Sequence, residues 1–145
     1  MKIWTQMAGM LMVLALAACS SGPKTTFAAT LSGANERPSP VTTSATGSVT
    51  LALNEAAKSI TVTGSYSGMV VDTSIAQTGA HIHGPIGKDG TAGVLFALTA
   101  NNTGNTISGT FTVTDQQIAD LRAGLWYVNL HSSTNRGGEI RGQLE

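Results

Sequence analysis

Val49-Thr50-Leu51-Ala52-Leu53-Asn54-Glu55-Ala56-Ala57-Lys58-Ser59-Ile60-Thr61-Val62 reads as two strands and the turn between them. Val49, Leu51 and Leu53 recur at every second position, and Ile60 and Val62 resume that period after the polar Asn54–Lys58 turn. A period of two sends one set of side chains to a single face of an extended chain, so each segment has one apolar face to bury. The same alternation spreads outward in both directions. Upstream it marks Phe27, Ala29 and Leu31. Downstream it marks Tyr66, then Ala80 and Ile82, then Val94, Phe96 and Leu98. Asn101-Asn102-Thr103-Gly104-Asn105 is a turn signal. After it come Ile107, Phe111 and Val113, then Trp126, Val128 and Leu130, and finally Ile140 with Leu144.

One segment departs from this period. Thr114-Asp115-Gln116-Gln117 has the form of a helix capping box, Ile118 and Leu121 give one apolar edge, and Gly124 is a natural stop. A short helix is therefore expected near 115–123. About eight short strands with one helical turn predict an all-β, antiparallel, Greek-key sandwich or barrel.

The chain has 145 residues, enough for one domain. Residues 1–18 read as a targeting segment, with Lys2 its single charge and an apolar run of 12 residues from Met7 to Ala18. That run suits a signal-peptide core and falls short of the roughly 20 residues that span a bilayer. Leu16-Ala17-Ala18-Cys19 resembles the lipobox of bacterial lipoproteins, in which Cys19 is acylated and becomes the new N-terminus. Cys19 is the single cysteine, so no intrachain disulfide can form. Residues 19–26 are then a lipidated tether and 27–145 the folded domain. The expected location is the cell envelope, facing the periplasm or the cell surface, with the lipid as the link to the membrane. Loss of residues 1–18 removes Lys2 alone among the charges, which leaves seven basic against eight acidic residues, a net charge of −1. The charges are scattered singly, so no basic stripe marks a nucleic-acid partner.

The three histidines are the most informative polar residues. His81 and His83 stand two apart on an expected strand and share a face, while Ala80 and Ile82 take the other. His131 shares parity with Tyr127 and Asn129, opposite to Trp126, Val128 and Leu130. With the apolar sets directed to the core, the histidines lie together on the outer face if the two strands are neighbours, with loops 68–78 and 132–138 able to fold over them; the competing reading makes them polar residues of a solvated sheet face, hydrogen-bonded to loop backbone. A His-x-His pair and a third histidine from an adjacent strand can supply three ligands to one ion, copper or zinc by ligand type. Ligands held at about 2.0–2.1 Å from one ion stand within about 3–4 Å of one another. Glu139 is a fourth candidate ligand. The competing reading pairs Glu139 with Arg141 or a strand neighbour, an exposed ion pair contributing about 0–1 kcal/mol.

Gly84-Pro85-Ile86-Gly87-Lys88-Asp89-Gly90 lacks the Gly-Lys-Ser/Thr ending of a phosphate loop and reads as turn chemistry. There is no Gly-x-Ser-x-Gly elbow and no acid pair with an expected common cleft. No catalytic residue is therefore expected, and the chain reads as a non-enzyme.

Three stretches carry a family resemblance: Phe27-Ala28-Ala29-Thr30-Leu31-Ser32-Gly33-Ala34-Asn35-Glu36; Ala80-His81-Ile82-His83-Gly84-Pro85; and Tyr127-Val128-Asn129-Leu130-His131-Ser132 with Gly138-Glu139-Ile140-Arg141-Gly142-Gln143-Leu144. In this order they resemble the CHRD domain, the module named after chordin, over about residues 27–145. Arg37 and Arg136 depart from the family pattern, both in loops. The resemblance implies an immunoglobulin-like β-sandwich or barrel and no established enzyme activity. The family is distantly similar to copper/zinc superoxide dismutases, but three histidines and one lipidated cysteine cannot supply that enzyme's four-histidine copper site and bracing disulfide. Two functions follow as expectations. One is a non-catalytic envelope module displaying its surface to a protein or glycan partner. The alternative is a copper- or zinc-binding protein with a metal-handling or redox role at His81, His83 and His131.

Overall fold

Alternation puts Phe27, Ala29 and Leu31 on the buried side of β1 (Thr26–Ser32), Val49, Leu51 and Leu53 on that of β2 (Thr46–Asn54), and Ile60, Val62 and Tyr66 on that of β3 (Ser59–Ser67). The computed structural model describes residues 25–145. Antiparallel register then lines these sets up across the sheet: Phe27 opposes Leu51, which opposes Val62, and Ala29 opposes Val49, which opposes Gly64. Gly64 opposes Ile107 on the next strand. A Cβ there would stand 2.6 Å from the Ser48 carbonyl oxygen and 3.0 Å from the side chains of Val49 and Ile107, so only glycine fits between these rows.

The chain continues through β4 (Ala80–His83), β5 (Val94–Ala97), β6 (Thr99–Asn101), β7 (Thr106–Thr112), helix α1 (Asp115–Arg122), β8 (Tyr127–Leu130) and β9 (Ile140–Gln143). The nine strands of the described residues form one antiparallel sheet in the order β5-β4-β8-β9-β1-β2-β3-β7-β6. The two edge strands, β5 and β6, are separated in sequence by Leu98 alone, and Leu98 is fully buried. The sheet must therefore curl until its edges nearly meet, giving an all-β barrel with the apolar rows inside. The sequence suggested about eight strands. The ninth arises because the Val94–Asn101 stretch turns at Leu98 and serves both edges. Edge placement also explains why Val94 is 48% exposed although its parity matches Leu98.

Helix α1 has the capping box read from the sequence: Gln117 N donates to Thr114 Oγ1, and Thr114 N donates to Gln117 Oε1. Ile118 and Leu121 face the core, and Gly124 ends the helix at φ +69°. Trp126 lies just ahead of β8, fully buried and 5.7 Å from the Phe96 ring. Residues 1–18, Cys19 and the tether as far as Lys24 lie outside the described residues. β1 begins at Thr26, one residue before the expected domain start. Among the described residues no helix is long and apolar enough to cross a membrane.

Candidate metal centre

β4 and β8 are neighbours, with His81 opposite Asn129 and His83 opposite Tyr127. The other parity pairs Ala80 with Leu130 and Ile82 with Val128, all buried in the core. His81, His83 and His131 therefore share the face away from the barrel interior, as their spacing predicts. Of the competing reading, the hydrogen bonds to loop backbone are present, but the solvated face is corrected. His81 is 1%, His83 9% and His131 8% exposed.

Three loop carbonyls cover the rings. His81 Nε2 is 3.1 Å from Ala76 O, His83 Nδ1 is 3.0 Å from Ala92 O, and His131 Nδ1 is 2.9 Å from Arg136 O. Loops 68–78 and 132–138 are the expected covers. The loop between β4 and β5, which supplies Ala92, was not foreseen. The loops are anchored to the site by main chain: His131 N donates to Gly79 O at 2.8 Å, and Asp72 N donates to His131 O at 3.0 Å. Ala76 takes the left-handed conformation at φ +43°, at a cost of order 1–2 kcal/mol for a residue with a Cβ. That turn holds the carbonyl facing His81.

A carbonyl oxygen only accepts, so the ring nitrogen facing it carries the proton. The remaining nitrogens, His81 Nδ1, His83 Nε2 and His131 Nε2, then carry lone pairs, and all three are buried without a hydrogen-bond partner among the described residues. Ring centroids are 5.0 Å apart for His81 and His131 and 5.6 Å for His81 and His83. One ligand atom from each histidine lies within 4.8 Å of the other two. That span is wider than the ligand set of one ion, by about an ångström of ring movement. Burial holds all three imidazoles below the ordinary histidine range, and His83 is pushed down to about 4. Neutral rings with unshared lone pairs, each fixed by a carbonyl behind it, fit a borderline-soft ion such as copper or zinc.

Glu139 does not join the histidines. It lies 8% exposed and accepts from Thr43 Oγ1 at 2.7 Å. Burial alone would raise its carboxyl, but hydrogen bonds from Ser132, Thr43 and Asn135 hold it below the usual range. The Glu139–Arg141 pairing is corrected as well. The Arg141 guanidinium sits 3.5 Å from the centroid of the Tyr127 ring and donates to Lys88 O at 3.3 Å. Loop and strand partners outcompete the neighbour two residues away because both side chains are buried, where direct partners replace solvent.

Glu36 belongs to this face and carries no sequence signal for it. It is 3% exposed, accepts from Asn129 Nδ2 at 2.6 Å, and is pushed up to about 7 by burial, against the opposing charge of Arg141. Gly138, at φ +137°, leaves the space it needs, since a Cβ there would overlap the Asn129 amide and approach Glu36 Oε2 to 2.6 Å. Tyr127 and Asn129 were placed on the histidine face by parity alone. The carbonyls at Ala76, Ala92 and Arg136 had no signal, because a main-chain acceptor is not a residue type.

The family model for the CHRD domain matches residues 27–144. The chain belongs to the CHRD domain family. Comparison with curated proteins gives no match. The three histidines of this CHRD domain sit in two of the stretches that carried the resemblance, Ala80–Pro85 and Tyr127–Ser132. The register of β4 against β8 brings those stretches together.

Proposed function

We propose that the protein is an envelope lipoprotein, tethered through Cys19, whose CHRD domain binds one copper or zinc ion at His81, His83 and His131 without catalysing a reaction. One observation carries the metal reading: three buried imidazole nitrogens without partners, from three rings whose ligand atoms lie within 4.8 Å. An unpartnered polar atom in a dry site costs about 1–3 kcal/mol, and three in one cluster are accounted for together if each donates its lone pair to one ion. The carbonyls opposite them supply the outer bonds that fix ring orientation. Cargo holding or metal storage suits a site whose three ligands are neutral and covered by loop carbonyls. The membrane part of the reading rests on the Leu16–Cys19 box.

Elemental analysis of the protein purified from the envelope, joined to calorimetric titration of the metal-free protein with copper(II) and zinc(II), tests the reading. The expected result is one ion per chain, with affinity lost by at least roughly tenfold in His83→Ala and in His131→Ala. Equal affinity in wild type and both variants, or no binding in the wild type, overturns it.

A further inference from the structure

A cleft of about 500 Å³, with no histidine in its lining, opens over the outer side of β1 and β2. Arg37, Lys88 and Arg141 line it. Residues 25–145 carry six basic side chains. Four are in ion pairs: Arg37 with Asp89, Lys58 with Asp115, Arg122 with Glu55, and Arg136 with Asp72. The two without one, Lys88 and Arg141, face the same cleft, and the third cation there, Arg37, holds Asp89 only at 3.3 Å with that carboxylate 78% exposed. A ligand can displace so exposed a partner at little cost.

Arg141 is the unusual member. The residue is 2% exposed and lies over the Tyr127 ring, yet among the described residues the one hydrogen bond its guanidinium makes, of the five N–H groups it offers, is to Lys88 O. The carboxyl that acts on it most strongly, Glu36, is itself raised to about 7 by burial, so the buried cation lacks a full counter-charge. Thr30, Ser48 and Thr50 bring hydroxyl groups to the same wall, and Glu145 is the one acid on it. A second cavity of about 470 Å³ continues from Lys88 and Glu145 to Arg122. No aromatic side chain lines the first cavity, which leaves charge and hydrogen bonding as the means of recognition.

We propose that this cleft binds a small ligand bearing more than one oxyanion group, carboxylate or phosphate, held by Arg141, Lys88 and Arg37. Arginine presents paired donors that match such groups. The length of the groove, carried on by the second cavity, favours a ligand with separated charges over a single phosphate. This inference does not rest on the metal reading.

Full-length protein, stripped of metal and dialysed free of chelator, is titrated calorimetrically with citrate and, separately, with inorganic phosphate. The expected result is saturable citrate binding, tighter than phosphate, that weakens with rising salt. Lys88 is exposed, so Lys88→Glu leaves the fold intact and should weaken citrate at least roughly tenfold, with Arg37→Ala weakening it in the same direction. Lys58→Glu makes the same change of charge away from the cleft and should leave binding unchanged. Absence of citrate binding, or equal losses in Lys88→Glu and Lys58→Glu, overturns the proposal. Phosphate binding as tightly as citrate overturns its claim on a ligand with several charges.

Discussion

The imidazole of His83 lies flat on the phenol ring of Tyr127, with centroids 4.8 Å apart and planes within 3° of parallel. The two residues are directly opposed across β4 and β8. The Tyr127 hydroxyl reaches the main chain of Ala92, 3.3 Å from its N and 3.4 Å from its O, and that same carbonyl faces His83 Nδ1. Tyr127 thus holds both the ring of His83 and the loop that orients it. Tyr127→Leu keeps an apolar side chain there but removes the stacking and the loop contact. It should weaken metal binding about tenfold, in the range seen when an outer partner of a histidine ligand is lost. Competition titration against a chromophoric chelator measures this, and unchanged affinity would show that Tyr127 does not position His83.

Proton competition for the site should set in below the ordinary histidine range. Burial lowers all three imidazoles from 6.5, His83 to about 4, so their lone pairs stay available where an exposed histidine is already half protonated. Metal affinity should be nearly level from pH 8 to 6.5 and decline only at lower pH. Titrations at half-unit steps test this, and a decline centred at 6.5 or above contradicts it.

Glu36 should act on stability in the opposite sense to the histidines. Its carboxyl is raised from 4.5 to about 7 in the folded chain. Between those values the folded state binds a proton that the unfolded state has lost, so stability falls as pH rises through that window, by at most about 1.4 kcal/mol per pH unit. The histidines, lowered on folding, make stability rise with pH up to 6.5. The difference between wild type and Glu36→Gln isolates the carboxyl, because the amide oxygen can still accept from Asn129. Urea unfolding at pH 5 and pH 8 should show Glu36→Gln gaining on wild type at the higher pH. A pH-independent difference would falsify the raised carboxyl.

Gly84 and Trp126 should be coupled in stability. Trp126 is fully buried, and Trp126→Ala should cost about 3–5 kcal/mol. A Cβ at Gly84 would stand 2.7 Å from Trp126 Cδ1 and 2.9 Å from the Leu125 carbonyl oxygen. Gly84→Ala should therefore cost about 1–3 kcal/mol by overpacking. Denaturant unfolding of both single variants and the double variant checks this. Additive losses would mean that the glycine is needed for the turn and not for the space beside the indole.

Cys19→Ser should abolish membrane association while leaving the domain's unfolding midpoint unchanged. Its motivation is the Leu16-Ala17-Ala18-Cys19 box. Detergent-phase partitioning measures it, and a variant that still enters the detergent phase removes the lipid anchor.

Much of the barrel is determined by local pattern. The period of two in Phe27–Leu31, Val49–Leu53 and Ile60–Val62, the Asn101–Asn105 turn and the Thr114/Gln117 capping box act between residues a few positions apart, so the linear chain carries them. Parity likewise placed His81, His83 and His131 on one face, since side-chain direction on a strand needs no partner to be defined. What parity could not carry was everything that depends on which loop returns over that face. The site became buried instead of solvated because Ala76, Ala92 and Arg136 bring their carbonyls to the rings. Glu36 became a buried carboxyl because Asn129, 93 residues away in sequence, donates to it beside a glycine that leaves it room. The edge strands split at Leu98 because the sheet closes. Such contacts join distant segments, and their energy exists only once the barrel has curled. The alternating apolar rows determined the sheet, and its closure decided the environment of every polar group on it.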